Sequence, residues 1–350
     1  MFSSSHTTHA TAPSKLILSG EHAVVYGQPA LATAIDLQVR TTVHDRCSHS
    51  NSVSFSIQRN TAHKGHVSKH YCWKSVQQLA RSIWRKHALY CAGKLHDHFA
   101  IQDPFVWLQV ILVYTLQKLH VSLSSDIHIC VQSHAPIGCG LGSSASCIVS
   151  VMHALAHHFG IRPSTAWYYK QAVALENLQH IRSSGIDPYV CLHGGCHLFQ
   201  SGQSQTVSPP LFPLVLVHTG TPCSCTGQCV LQVRRRWQTS DIWSEFAQTT
   251  RKIHEALQNC DLGACQQAIR RNHRLLTLLG VVPKPVEQFI AQVQQQGAAA
   301  KICGAGSTQG DKGGMVWILA KQPSFVLRLC QQYGYSCTRA FACMQGAQIT

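Results

Sequence analysis

The stretch Pro136-Ile137-Gly138-Cys139-Gly140-Leu141-Gly142-Ser143-Ser144-Ala145 sets three glycines within five residues ahead of two serines. Glycines at this density let the backbone turn tightly and bring its N–H groups up to an anion. Ser143 and Ser144 can cap a following helix or offer a hydroxyl to a metal-bound phosphate. Phosphate binding and an ordinary serine-capped turn both satisfy this motif taken alone. No lysine precedes the serines, so the pattern is not the Walker one, and a nucleotide held here needs a cation from elsewhere. Lys15, beside the apolar run Leu16-Ile17-Leu18, can supply it; the alternative is a surface lysine at a strand start.

Acids are scarce around this turn. Between Asp126 and Asp241 the chain has only Glu176 and Asp187. Magnesium carried on nucleotide phosphates takes oxygen ligands, usually one or two carboxylates with water. Glu176 falls late in a helical pattern and could equally be a solvated helix residue. Asp187, followed by Pro188, also suits a helix N-cap with proline at the first helical position.

The elements that must position these groups read as follows. Ile127, Ile129 and Val131 alternate with polar residues, a half-buried strand leading into the glycine turn. Ser146 to Phe159 carries apolar residues at helical spacing. Residues 12–19 read as a short strand that resumes at Ala23–Tyr26, with further extended segments at Leu31–Val43 and Val53–Ile57. Residues 59–100 are weakly patterned apart from a helix over Trp73–His87. Helices are expected at Phe105–Leu119, Pro163–Arg182 with Ser164 as cap, and Ile186–His193. Ser201–Pro210 reads as a link between domains. Beyond it come a strand at Leu214–Val217 and helices at Trp243–Asn259, Leu262–Leu279 and Val286–Gln295. A second glycine-rich run at Lys301–Gly314 follows, then a strand, a helix and a strand closing the chain.

At 350 residues with 45% apolar content, the chain can bury a large core, and two domains are expected. The formal charge of +15 reflects only 14 acids against 29 scattered Lys and Arg. Such a surface favours anions, but no arginine-rich arm or nucleic-acid signature is present, so small phosphorylated ligands fit better than nucleic acid. The 17 cysteines are odd in number and spread along the chain, with nothing before them that reads as a secretory signal. Met1–Thr11 reads as a frayed leader, and Phe105–Leu116 is too short to span a bilayer. These features point to a cytoplasmic protein with reduced thiols and no membrane partner. The run Cys223-Ser-Cys225-Thr-Gly-Gln-Cys229 lacks the paired spacing of a zinc site.

Three segments resemble a known family. Ala12-Pro-Ser-Lys15-Leu-Ile-Leu-Ser-Gly-Glu21-His22-Ala-Val-Val-Tyr-Gly is similar to the first motif of mevalonate kinases. Pro136–Ala145 resembles the phosphate loop of the superfamily of galacto-, homoserine, mevalonate and phosphomevalonate kinases. Lys301–Gly314 resembles its third, glycine-rich motif, and the segment from Asn272 resembles the preceding helix. The resemblance implies an α+β, two-domain small-molecule kinase fold. Its N-terminal domain, residues 1–200, would be ribosomal-S5-domain-2-like and bind ATP; its C-terminal domain, residues 210–350, would be ferredoxin-like.

Carried over by position, the resemblance makes Asp187 the catalytic base and Lys15 its cationic partner. ATP would lie on Pro136, Gly138, Gly140, Leu141, Gly142, Ser143, Ser144 and Ala145, with Mg2+ on Ser144 and Glu176. Glu21, His22 and, less closely matched, Thr226 would meet the substrate. The implied reaction is ATP-dependent phosphorylation of mevalonate in isoprenoid biosynthesis, in a chain compatible with a homodimer. Ser14, the run His180-Ile-Arg-Ser183, Pro188 and an insertion after Gly306 depart from the family pattern without removing a catalytic group. The rivals are phosphomevalonate or another small alcohol as acceptor, and a non-catalytic nucleotide- or nucleic-acid-binding protein suggested by the charge.

Overall fold

The computed structural model describes residues 6–46, 50–59, 66–95, 101–180, 183–224 and 226–350. Two sheets organise it, and the glycine turn lies where they meet. The first sheet takes β1 (Thr7–Ser19), β2 (Ala30–Arg46), β3 (Ser52–Arg59), β4 (His66–Cys72) and β5 (Asp126–Ser133). It also takes β6 (Cys196–Gln200) and β7 (Gln203–Val207). Strand order is β1-β2-β5-β3-β4, with β6 pairing on β2 and β7 on β6. The β3–β5 pair is parallel and the others are antiparallel.

The alternation read at residues 127–131 works as expected. Ile127, Ile129 and Val131 are buried, while His128, Cys130 and Gln132 face outward and are half-buried. The inward faces pack on α1 (Trp73–Cys91), α2 (Pro104–Leu119), α3 (Ser143–His158), α4 (Thr165–His180) and α5 (Ile186–His193). Asp103 caps α2 by accepting from Phe105 N at 2.8 Å, with Pro104 in the first turn. Ser164 accepts from Trp167 N at 3.2 Å, the cap expected for α4.

The second sheet contains β8 (Leu214–His218), β9 (Ala299–Cys303), β10 (Met315–Leu319) and β11 (Ser336–Ala340), all antiparallel in the order β11-β8-β10-β9. Numbered within that sheet the order is 4-1-3-2, the ferredoxin-like arrangement. Its helices are α6 (Thr226–Trp237), α7 (Ile242–Gln258), α8 (Leu262–Leu278), α9 (Lys284–Gln295) and α10 (Ser324–Tyr333). A short β12 (Gln348–Ile349) returns to pair with β1 at the edge of the first sheet. One buried apolar cluster draws on both sheets, joining Leu16, Leu18 and Leu141 to Leu216, Cys303 and Trp317.

Several expectations are corrected. Ala23–Tyr26 is a turn of 3-10 helix, because Gly20 and His22 take positive φ and reverse the chain there. Thr7–Thr11 belongs to β1, held against Arg40–His44, and residues 1–5 lie outside the described residues. The stretch read as a link contains β7, whose polar, exposed side chains suit an edge strand. β4 and α6 went unread for the same reason, since nearly all of β4 and much of α6 face solvent. Cys225 and residues 181–182 lie outside the described residues.

Candidate active site

The glycine turn begins with three residues in the left-handed region, Gly138, Gly140 and Gly142, at φ 74°, 89° and 67°. Gly142 is the N-cap of α3, and no side chain caps that helix. This corrects the expectation of a serine cap: Ser143 Oγ instead accepts from Gly138 N at 3.3 Å, inside the turn. The first N–H groups of a helix have no partner within it, so this end of α3 offers uncapped donors and partial positive charge to an anion. Ser144 Oγ is buried with no hydrogen-bond partner among the described residues.

Lys15 enters from β1. Its backbone N–H donates to Leu141 O at 2.9 Å, tying the strand to the turn. Its ammonium donates to Gly140 O at 3.2 Å and lies 3.1 Å from Asp187 Oδ2. The lysine is 3% exposed and the aspartate 26%, so solvent reaches the pair from the aspartate's side. Gly142 makes the lysine's path: a Cβ there would lie 2.7 Å from Lys15 Cγ. Asp187 is the second residue of α5, and Gly185, at φ 80°, is that helix's N-cap. The expected capping role is therefore absent, which leaves the carboxylate to Lys15. Glu176 lies late in α4 and is 2% exposed.

The first motif continues into a buried polar group. Glu21 forms an ion pair with Lys301, and both are essentially fully buried. Burial pushes the Glu21 carboxyl up from the ordinary carboxylate range, and the neighbouring Lys301 ammonium draws it back. Its other oxygen, Oε2, has no hydrogen-bond partner among the described residues. His22 Nε2 lies 3.0 Å from Ala305 O. A carbonyl only accepts, so the ring proton sits on Nε2 and Nδ1 keeps its lone pair, buried and without a hydrogen-bond partner among the described residues. Burial pulls the His22 pKa down to about 4.

The third glycine-rich segment braces the turn from the other sheet. Gly140 packs so closely on the Cys303 carbonyl that a Cβ could not be placed there, and Met315 N donates to Cys139 O at 3.0 Å. Cys139 Sγ lies 3.0 Å from His218 Nε2. Thr226 is exposed at the start of α6, and one turn on, Cys229 Sγ reaches Gly306 O at 3.6 Å. An apolar cavity of about 190 Å³ opens beside the turn, lined by Ile57, Trp107, Leu108 and Val131 together with Gly138 and Ser144.

The structure thus brings Lys15, Asp187 and the serine-tipped end of α3 together, and links Glu21 and His22 to the third segment. Lys301 and Cys139 were not singled out from sequence. The signal for Lys301 was a lysine inside the apolar run Ala299-Ala-Lys-Ile-Cys303. Among the described residues, which leave out Cys225, no group of three or more His, Cys, Asp or Glu could hold a metal ion. No helix among them is long and apolar enough to cross a membrane.

Residues 108–195 match the GHMP kinases N terminal domain. Among curated relatives, a mevalonate kinase of Archaeoglobus fulgidus is 29% identical over 320 residues, covering 89% of this chain and 92% of the relative. A crystal structure of Methanococcus jannaschii mevalonate kinase superimposes with a TM-score of 0.76 at 18% identity, covering 98% of this chain and 99% of that one. A structure of L. major mevalonate kinase in complex with R-mevalonate gives 0.72 at 21%, covering 99% and 98%. The chain carries the N-terminal domain of the GHMP kinases within the two-domain α+β fold of that family.

Proposed function

We propose that this chain transfers the γ-phosphoryl group of ATP to the primary hydroxyl of mevalonate. The observation that carries the reading is the Lys15–Asp187 pair, 3.1 Å apart, at the uncapped N-terminus of α3. An uncapped helix end behind a left-handed glycine turn suits the nucleotide's phosphates. The apolar cavity beside it suits the base. We draw the domain division between β7 and β8, in residues 208–213, with both reactants meeting where the two sheets share their core.

In this reading Asp187 accepts or directs the proton of the attacking hydroxyl, and Lys15 neutralises charge growing on the transferred group and the reacting oxygen. The donor set also fits a hard cation. Ser144 Oγ is buried without a partner, and Glu176 is the other acid between residues 126 and 241. Ser144 and Glu176 would hold Mg2+, which when bound offsets phosphate charge. Glu21 Oε2 and His22 Nδ1 are buried acceptors left open by the fold, and they suit the hydroxyl groups of a small alcohol. Thr226 would close the same end.

A coupled assay of ADP release tests this across mevalonate, phosphomevalonate, homoserine and galactose. Turnover of mevalonate above the others is expected. Preference for phosphomevalonate would move the reading to its rival within the family, and no turnover with any alcohol would overturn it.

A further inference from the structure

We propose that Lys301 is a positioning residue for this kinase, acting through Glu21 and the end of β1 to hold the Lys15 ammonium in place. The proposal deepens the kinase reading and rests on it.

Lys301 is the central residue of β9, paired with Trp317 in the second sheet, yet its contacts lie on the first. Its ammonium is 0% exposed, pairs with the Glu21 carboxylate, and donates to Ile17 O at 3.3 Å. Ile17 is two residues from Lys15 on β1. There the ladder with β2 slips: Ile17 faces Ala32, but Ser19 faces Leu31. A slip of this kind disrupts local pairing and lets a strand swing. Lys301 satisfies a carbonyl at that weak point and fixes the turn that follows it.

The same strand reaches the phosphate turn two residues later. The Cys303 carbonyl packs on Gly140, and Gly140 O accepts from Lys15 Nζ. β9 therefore touches both supports of the reacting lysine: at Lys301 it grips the strand that carries Lys15, and at Cys303 it sets the turn that Lys15 contacts. Glu21 supplies the charge that lets an ammonium be buried between the sheets. A neutral side chain at 301 would fill the space but leave β1 ungripped at its slip.

Three variants test this. The neutral pair Glu21→Gln/Lys301→Met keeps volume and leaves no uncompensated buried charge, so it is expected to fold. Lys301→Met removes the ammonium alone, and Lys301→Arg keeps a cation of different shape. For the neutral pair we expect kcat to fall by about tenfold to a hundredfold, the scale of a roughly 1 Å misplacement near the chemistry, with a rise in alcohol KM beside it because Glu21 also faces the substrate in this reading. Lys301→Arg should recover most of the loss. A second readout does not depend on turnover: acetylation of Lys15 by acetic anhydride, followed by mass spectrometry. In the native protein this amine is nearly buried and should react slowly, whereas in the neutral pair and Lys301→Met it should label several-fold faster. Unchanged kcat and unchanged Lys15 labelling in the folded neutral pair would overturn the proposal. So would a rise in alcohol KM at constant kcat, which would leave Glu21 as a substrate contact and Lys301 with no part in positioning. Because labelling is read without substrate, failure of the kinase reading would leave this outcome legible.

Discussion

Lys15 Nζ lies 3.1 Å from Asp187 Oδ2, and the stem of that lysine passes over Gly142 with no room for a Cβ between them. The cation that the glycine turn lacks in its own sequence is thus delivered from another strand, and the glycine that opens the helix also clears its path. In the proposed reading this geometry ties nucleotide binding and proton handling to one contact, and mutation should separate the two.

Asp187→Asn keeps the size of the side chain and its place in the first turn of α5 while removing the proposed base. General-base assistance is worth about 10²–10⁴ in rate. We expect kcat to fall by at least that range and nucleotide affinity, measured by calorimetry with a non-hydrolysable analogue, to change little. Full activity would remove Asp187 from the chemistry.

Gly142→Ala and Gly160→Ala form a matched comparison. Both glycines are left-handed, at φ 67° and 70°, so alanine costs about 1–2 kcal/mol of backbone strain at each. A Cβ at 160 meets nothing within 4 Å, whereas one at 142 would press on Lys15. The loss of Tm is expected to be larger for Gly142→Ala, and only that variant should lose kcat, by about tenfold or more through displacement of the lysine. Equal kinetic effects would show that Gly142 serves the backbone alone.

Much of this arrangement was legible before the fold was seen. Gly138, Gly140 and Gly142 announce a turn that only glycine tolerates, and the scarcity of acids isolates Glu176 and Asp187. Lys301 was hidden because a buried ammonium is identified by its partner, and Glu21 is far away in sequence. From sequence, capping stays an open alternative for Ser143, Ser144 and Asp187 at α3 and α5. Asp187 is drawn to Lys15, Ser143 Oγ turns back to Gly138 N within the turn, Ser144 Oγ is buried, and glycines at 142 and 185 take the capping positions instead. Edge strands such as β7 lack the buried alternation that betrays a strand, so composition alone suggested a link.

Ser144→Ala separates function from stability. Removing a hydroxyl that is buried without a partner should leave stability within about 1 kcal/mol of the parent, or raise it, because no hydrogen bond is lost. The same change should weaken the response to Mg2+. Groups that support a metal ligand typically alter affinity about 10–100-fold, and loss of a ligand should reach that scale. Titration of kcat against Mg2+ with parallel melting curves would show both effects. A clear loss of Tm with an unchanged Mg2+ curve would assign Ser144 to packing.

Buried and half-buried histidines set the acid limit of the fold. His22, His128, His153 and His273 are each pulled down to about 4, with burial as the leading cause. His128 is wedged between Ser54 Oγ and Ser56 Oγ at 2.6 and 2.8 Å, and His153 stacks on Tyr168 with ring centroids 3.8 Å apart. An unfolded histidine titrates near 6.5, so between roughly pH 6.5 and 4 the unfolded chain binds more protons than the folded one. Stability is therefore fully present above that window and declines as pH falls through it. We expect Tm to drop between pH 7.5 and 5, and His153→Phe, which keeps the ring stack but cannot take a proton, to flatten the decline. A Tm unchanged between pH 7.5 and 5 would mean that these rings protonate in place, with no desolvation to oppose it.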